Sequence, residues 1–251
     1  MSAIRISRCK RSRHFDLPLL SARSMRPLYP GKQSFRTCST NAAAEALEYP
    51  ESPTANHSDL PSFLEYASRV NLDPQSTLYV GTHYEYTVQS ALEGLGMSLK
   101  RIGGSSDYGI DLLGTWSLPS VPQPLKVLIQ CKALGKKVQP YHARELEGTF
   151  VGAPQGWREP GVLGFLVSRK LATMGVRKAV GRSKWPMGYV RCDADGKILQ
   201  MLWNRRAEQG GLEGIGVGLK YTGGDLNDKE AVLTWKGDVI AGLISALGSV
   251  R

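Results

Sequence analysis

Residues 103–114 read GGSSDYGIDLLG, and residues 128–132 read LIQCK. The first stretch turns on glycines and becomes apolar around one carboxylate, Asp111. The second is an apolar run that ends on an amide and an ammonium, Gln130 and Lys132. Successive side chains of a strand point to opposite faces. Gln130 and Lys132 therefore share a face, and Ile129 and Cys131 share the other. The loop SLPSVPQP (117–124) between the two apolar runs predicts an antiparallel hairpin, one face of which presents Asp111, Gln130 and Lys132 together.

Working outward, YVGTHYEYTVQSALEGLGM (79–97) has Val88, Leu92 and Leu95 at helical steps, with Gly94 and Gly96 as a stop. One turn back on the same stripe lies Glu85, which is expected to pack over the face that carries Asp111, Gln130 and Lys132. Strand patterns recur in SLKRIG (98–103), GIDLLGTW (109–116), LKVLIQCKA (125–133) and GVLGFLVS (161–168). Helical patterns fit LPSFLEYASRV (60–70), PYHARELEGTFV (140–151) and LATMGVRKAVGRS (171–183). This order predicts an α/β fold, a mixed β-sheet flanked by helices. MGYVRCDADGKILQMLWN (187–204) reads as two strands joined at Asp195-Gly196. GIGVGLKY (214–221) reads as a strand with a glycine face rather than a phosphate loop, because no helix with Gly-Lys-Ser/Thr follows it. VIAGLISALGSV (239–250) is too short to span a bilayer and is expected as a packed terminal helix.

The chain has 251 residues and a formal charge of +10, very unevenly spread. Residues 1–40 carry nine Lys or Arg against Asp16 alone, a formal +8, so the rest of the chain is close to neutral at +2. An Arg- and Ser-rich, acid-poor start is the composition of a mitochondrial transit peptide, and a basic arm for acidic partners is the alternative. The expected organisation is a transit peptide over 1–40, a linker over 41–58 and one folded domain over 59–251, with no membrane span. Cys9, Cys38, Cys131 and Cys192 have neither metal-ligand spacing nor a disulfide framework.

Two acids, an amide and an ammonium gathered on one apolar sheet could form a structural ion pair of Asp111 and Lys132 with Glu85 as a third member. Burying that many charges costs several kcal/mol per ion, which makes stability alone a poor reason for the set. Metal-assisted phosphodiester cleavage uses such a set: carboxylates hold Mg²⁺, and a lysine stabilises developing charge. Asp107, in the glycine-rich turn, is a weaker candidate, since Asp there is usually a turn former. His83 and His142 lack metal or triad spacing, and Glu145 and Glu147 fit the solvated face of their helix. Arg169, Lys170, Arg177, Lys178, Arg182 and Lys184 crowd one segment and suit sequence-independent phosphate contacts as well as an ordinary solvated face. Trp116, Trp157 and Trp185 suit base stacking or packing.

GIDLLG followed by QCK, preceded by GTHYEYTVQSALEGLG, resembles the PD-(D/E)XK nuclease superfamily, in particular its restriction-endonuclease-like Mrr branch. Over most of residues 60–235 the chain also resembles the fungal mitochondrial family called required for respiratory growth protein 7. The stretches that carry this second likeness include GFLVSRKLATMGVRKAV, MGYVRCDADGKILQMLWN and GGLEGIGVGLKY. The resemblance implies a restriction-endonuclease-like sheet with Glu85 as the helical acid, Asp111 as the metal-binding acid, Gln130 at the second metal position and Lys132 as the catalytic lysine. It adds the carbonyl of Cys131 as a further ligand. Gln130 departs from the superfamily pattern, which often has a carboxylate there, so the site would hold Mg²⁺ more weakly. The implied role is Mg²⁺-dependent work on nucleic acid, DNA first, in maintenance of the mitochondrial genome in the matrix. A catalytically silent nucleic-acid-binding or respiratory assembly factor is the alternative, and a homodimer stays open.

Overall fold

The computed structural model describes residues 49–50, 54–104, 109–221 and 229–240. The expected transit peptide, Asp107 and the greater part of the C-terminal stretch lie outside the described residues. Helix α1 (Leu60–Arg69) opens on Asp59, whose carboxylate accepts from the Ser62 N–H at 2.8 Å while the Ser62 hydroxyl accepts from the Asp59 N–H. This reciprocal cap satisfies amides that the first turn leaves unpaired, and Pro61 costs nothing there because its missing N–H is one of them. Helix α2 (Thr77–Glu93) is capped by the Ser76 hydroxyl and buries Tyr84, Val88 and Leu92; the chain leaves it through Gly96 at φ 83°, a conformation that favours glycine.

Six strands follow, β1 (Met97–Arg101), β2 (Leu112–Trp116), β3 (Leu125–Lys132), β4 (Leu163–Ser168), β5 (Met187–Cys192) and β6 (Ile198–Trp203), and they pair in sequence order. Pairs β1–β2, β2–β3 and β5–β6 are antiparallel, while β3–β4 and β4–β5 are parallel, with α3 (Pro140–Gly152) and α4 (Met174–Arg182) as the crossovers. The mixed sheet flanked by helices is as the sequence predicts. Every residue of β4 is buried, which explains its unbroken apolar run: parallel strands covered on both faces do not alternate. One face packs Leu112, Val127, Ile129, Phe165 and Val190 against α2, and the other packs Leu113, Leu128 and Leu166 against α3 and α4. At Gly114 of β2 a Cβ would lie 1.9 Å from the Ser98 carbonyl, so only glycine allows β1 to approach this closely.

The turn at Asp195-Gly196 is present, with Gly196 at φ 84° and the Asp193 carboxylate accepting from the N–H groups of Asp195 and Lys197. Beyond it, α5 (Arg205–Ala207) runs into a wider helical turn (Glu208–Leu212), and the chain then forms a second, antiparallel sheet of β7 (Ile215–Tyr221), β8 (Lys229–Trp235) and β9 (Asp238–Val239). The glycine face of GIGVGLKY allows a close approach to β8, since a Cβ on Gly216 would meet Thr234 Oγ1 at 2.6 Å. Val239 belongs to β9, which corrects the start of the expected terminal helix: Trp235 and Asp238 pair across a tight turn through Gly237 at φ 99°. Trp116 and Trp157 are fully buried and present no face to bases, and Trp185 has one face stacked on Phe150 at 4.8 Å. The stretch expected as a linker packs where it is described, Tyr49 against Trp157 and His57 among Phe63, Tyr66 and Tyr86. Among the described residues no helix is long and apolar enough to cross a membrane.

Candidate functional site

Asp111 sits one residue before β2, with its N–H donating to Ile129 and its carbonyl accepting from Ile102 and Gly103. That backbone ladder fixes the carboxylate at the end of the sheet, where Oδ2 accepts from the N–H of Cys131 at 2.6 Å. The register Leu112↔Ile129, carried one step on, sets Asp111 opposite Gln130. Glu85 reaches the same place from α2. A Cβ built on Gly103 would lie 3.1 Å from Glu85 Oε2 and 3.2 Å from Asp111 Oδ1, so the two carboxylates converge on a spot that any larger side chain would crowd.

Gln130 and Lys132 lie on the face of β3 away from α2. Alternation along β3 puts Ile129 and Cys131 toward α2 and sends Gln130 and Lys132 toward α3. Helix α2 therefore does not lie over the face of Gln130 and Lys132. This corrects the expectation that Glu85 packs over that face: Asp111 stands opposite Gln130 in register, and Glu85 reaches the Asp111 carboxylate around the end of the sheet. Lys132 Nζ pairs with Glu145 Oε2 of α3 at 3.1 Å, so Glu145, although exposed, does more than face solvent. Gln130 is buried, its Oε1 has no hydrogen-bond partner among the described residues, and its amide nitrogen would lie 3.0 Å from a Cβ on Gly109.

Sequence reasoning missed Arg101. Its Nε donates to Glu85 Oε2 at 2.5 Å, with only 10% of the Arg101 side chain and 14% of that of Glu85 exposed, and its guanidinium lies over the Tyr86 ring at 5.4 Å. The signal was present: Met97, Leu99 and Arg101 alternate onto the α2 face of β1. The Cys131 thiol occupies the same environment, and its pKa is pushed well above the usual range by desolvation, reinforced by the Asp111 and Glu85 carboxylates. A thiol held neutral in this way is neither nucleophile nor metal ligand.

A hard divalent cation takes oxygen donors. Among the described residues no group of three or more His, Cys, Asp and Glu could hold a metal. The converging oxygens of Glu85 and Asp111, with the orphaned Gln130 Oε1 on the strand beside them, fit a site of low charge in which Arg101 competes for Glu85. His142 is spent on the N-terminus of α3, its Nδ1 accepting from the Gln139 N–H at 3.1 Å, and His83 stacks on Tyr79. On α4, Arg177, Lys178 and Arg182 are exposed and in no ion pair among the described residues; Lys170 is exposed, whereas Arg169 is partly buried over the Tyr84 ring.

A profile of the family described as Required for respiratory growth protein 7 matches residues 76–124 and 121–218, which take in α2, the six-stranded sheet and the start of β7. The chain belongs to that family. Among its relatives is an uncharacterized mitochondrial protein of Schizosaccharomyces pombe, 32% identical, with 61% of this chain and 62% of the relative covered. Proteins named Required for respiratory growth protein 7, mitochondrial, are 33% identical in Zygosaccharomyces rouxii, covering 47% of this chain and 66% of the relative, and 26% identical in Saccharomyces cerevisiae, covering 53% and 72%. The chain thus spans under two thirds of the length of the first two relatives. No solved structure matches the chain.

Proposed function

We propose that this family member works in the mitochondrion, in support of respiratory growth, as a nucleic-acid-directed protein with a restriction-endonuclease-like core and a metal-assisted phosphodiester-cleaving site at Glu85 and Asp111. The observation that carries the reading is the convergence of the two carboxylates on Gly103, beside the strand end that bears Gln130 and Lys132. The mixed sheet flanked by helices and the antiparallel pairing of β2 with β3 agree with the expectation drawn from the sequence. A bound Mg²⁺ supplies charge neutralisation at the phosphate and an activated water. The chain's own residues then have separate tasks. Asp111 and Glu85 supply anionic oxygens, Cys131 N–H orients Asp111, and Lys132, released from Glu145, neutralises charge developing on the phosphate. The exposed bases of α4 give sequence-independent affinity for the backbone, with DNA of the mitochondrial matrix as the substrate proposed first.

Two observations favour a silent relative of the same fold: Gln130 is neutral where an acid is common, and Arg101 already neutralises Glu85. The two readings separate in one experiment, in which full-length protein is incubated with linear, nicked and branched DNA and with RNA, with and without Mg²⁺ or Mn²⁺. Cleavage that requires metal is expected. Asp111→Asn should slow it by at least about 100-fold while leaving binding intact, the lower bound set by what loss of metal-site groups commonly costs. Binding without cleavage on every substrate, with no metal uptake by calorimetry, would assign the silent role instead.

A further inference from the structure

The loop that follows β4 is held with unusual definition. The Tyr189 hydroxyl donates to the Lys170 carbonyl at 2.6 Å, Arg191 Nε donates to the Arg169 carbonyl at 3.3 Å, and the Ala172 N–H donates to Gln200 Oε1 at 3.1 Å. Three side chains from β5 and β6 thus fix the backbone of residues 169–172 across the carboxyl ends of the parallel strands, where Lys132, Ser168 and Arg191 stand side by side in register. In open α/β sheets that edge is where ligands bind.

What the loop positions is Arg169. Its guanidinium lies 4.8 Å from the centre of the Tyr84 ring, on the α2 side of the sheet, one residue along the helix from Glu85. Tyr84 cannot drift, because it is fully buried and its hydroxyl donates to the Cys192 carbonyl at 2.8 Å. Among the described residues Arg169 Nε is buried without a hydrogen-bond partner, and the residue takes part in no ion pair. A buried charged donor left unmatched opposes folding. Stacking on an aromatic face leaves the edge of a guanidinium free for the bidentate contacts that suit phosphate oxygens.

We infer that Arg169, seated on Tyr84 by the pinned loop, is an anion subsite distinct from the basic surface of α4, and that it holds one backbone phosphate of the nucleic-acid strand next to the Glu85 and Asp111 pair. The occupant rests on the nucleic-acid reading above; the subsite itself rests on this geometry. A free phosphate has the same chemistry, and the test separates the two sources.

Full-length protein is titrated with a single-stranded oligonucleotide in EDTA over a range of salt. Arg169→Gln should lower the slope of log K against log salt by about 0.7 and weaken binding about fivefold at 0.1 M salt, as expected for one lost phosphate contact. Arg169→Lys should restore the slope. A second arm compares thermal midpoints in phosphate and in chloride at matched ionic strength, where proteins with a cation at 169 should gain more from phosphate than Arg169→Gln, whose smaller gain measures the general salt effect and the α4 bases. An unchanged slope in Arg169→Gln, with wild type binding normally, overturns the subsite and leaves the nucleic-acid reading standing. If wild type binds no nucleic acid, that reading fails; stabilisation by phosphate that depends on Arg169 then upholds the subsite with free phosphate as its ligand, and its absence overturns it. If Arg169→Gln does not fold, protection of wild-type Arg169 from phenylglyoxal by oligonucleotide or phosphate supports the subsite, and equal modification with and without them overturns it.

Discussion

At the scale of single residues the candidate site is a contest of charges over Glu85. Arg101 and the carboxylate form a nearly enclosed pair, and breaking such a pair leaves an unmatched charge behind, which typically costs about 3 kcal/mol. Arg101→Gln should therefore lower stability by roughly that amount, read by denaturant unfolding, while binding Mg²⁺ or Mn²⁺ more tightly than wild type, because the competing cation is gone. Loss of stability with no change in metal affinity would make the pair a structural tie. Asp111 and Gln130 were legible from the sequence because alternation and a short hairpin fix which side chains stand together. The partners of Glu85 and Lys132 were not, because a helix carries no mark of which sheet face it covers, and because Glu145 and Arg101 are tied to them only through the tertiary packing of α3 and β1.

At the scale of elements, α1 and α4 each make a separate statement. Helix α1 docks through Phe63 against Tyr79 and Tyr86, with His57 wedged among Phe63, Tyr66 and Tyr86 and its Nδ1 2.7 Å from the Tyr86 hydroxyl. Burial lowers the His57 pKa, and the Arg101 guanidinium lowers it further. Because the folded value lies below the unfolded one, near 6.5, the unfolded chain binds the proton first as pH falls. The docked state should keep its full stability above about pH 6.5 and lose it on acidification, seen as faster hydrogen exchange in α1 at pH 5.5 than expected from chemistry alone. His57→Gln should remove that dependence, and an α1 that exchanges alike at both pH values would show that His57 does not control docking. On α4 the buried Val176 and Val180 face the sheet and the bases face solvent, so neutralising Arg177, Lys178 and Arg182 together should leave the fold intact and flatten the salt dependence of nucleic-acid binding by up to about 2.7 units. An unchanged slope would return them to an ordinary solvated face.

At the scale of the whole molecule, two sheets share one interior. Leu212, Ile215, Ala231 and Leu233, from the far end of the chain, lie in the same cluster as Leu112, Val127 and Phe165 of the large sheet. Thermal unfolding should therefore be a single transition, with the backbone amides of β7 and β8 losing their NMR-detected native signals at the same midpoint as far-ultraviolet circular dichroism; a separate early transition would show the small sheet to be an independent unit. The strand order has a further consequence, in time. The hairpins β2–β3 and β5–β6 close over short loops, whereas β4 joins them only through parallel pairings across α3 and α4. Long-range pairings form late, because loop closure must precede the contacts that reward it. Asp111 belongs to the first hairpin and Arg191 to the second, with Arg169 just after the strand between. The edge that carries these residues is consequently assembled at the last stage of folding, and a newly made chain gains the chemistry of that edge only when its slowest seam has closed.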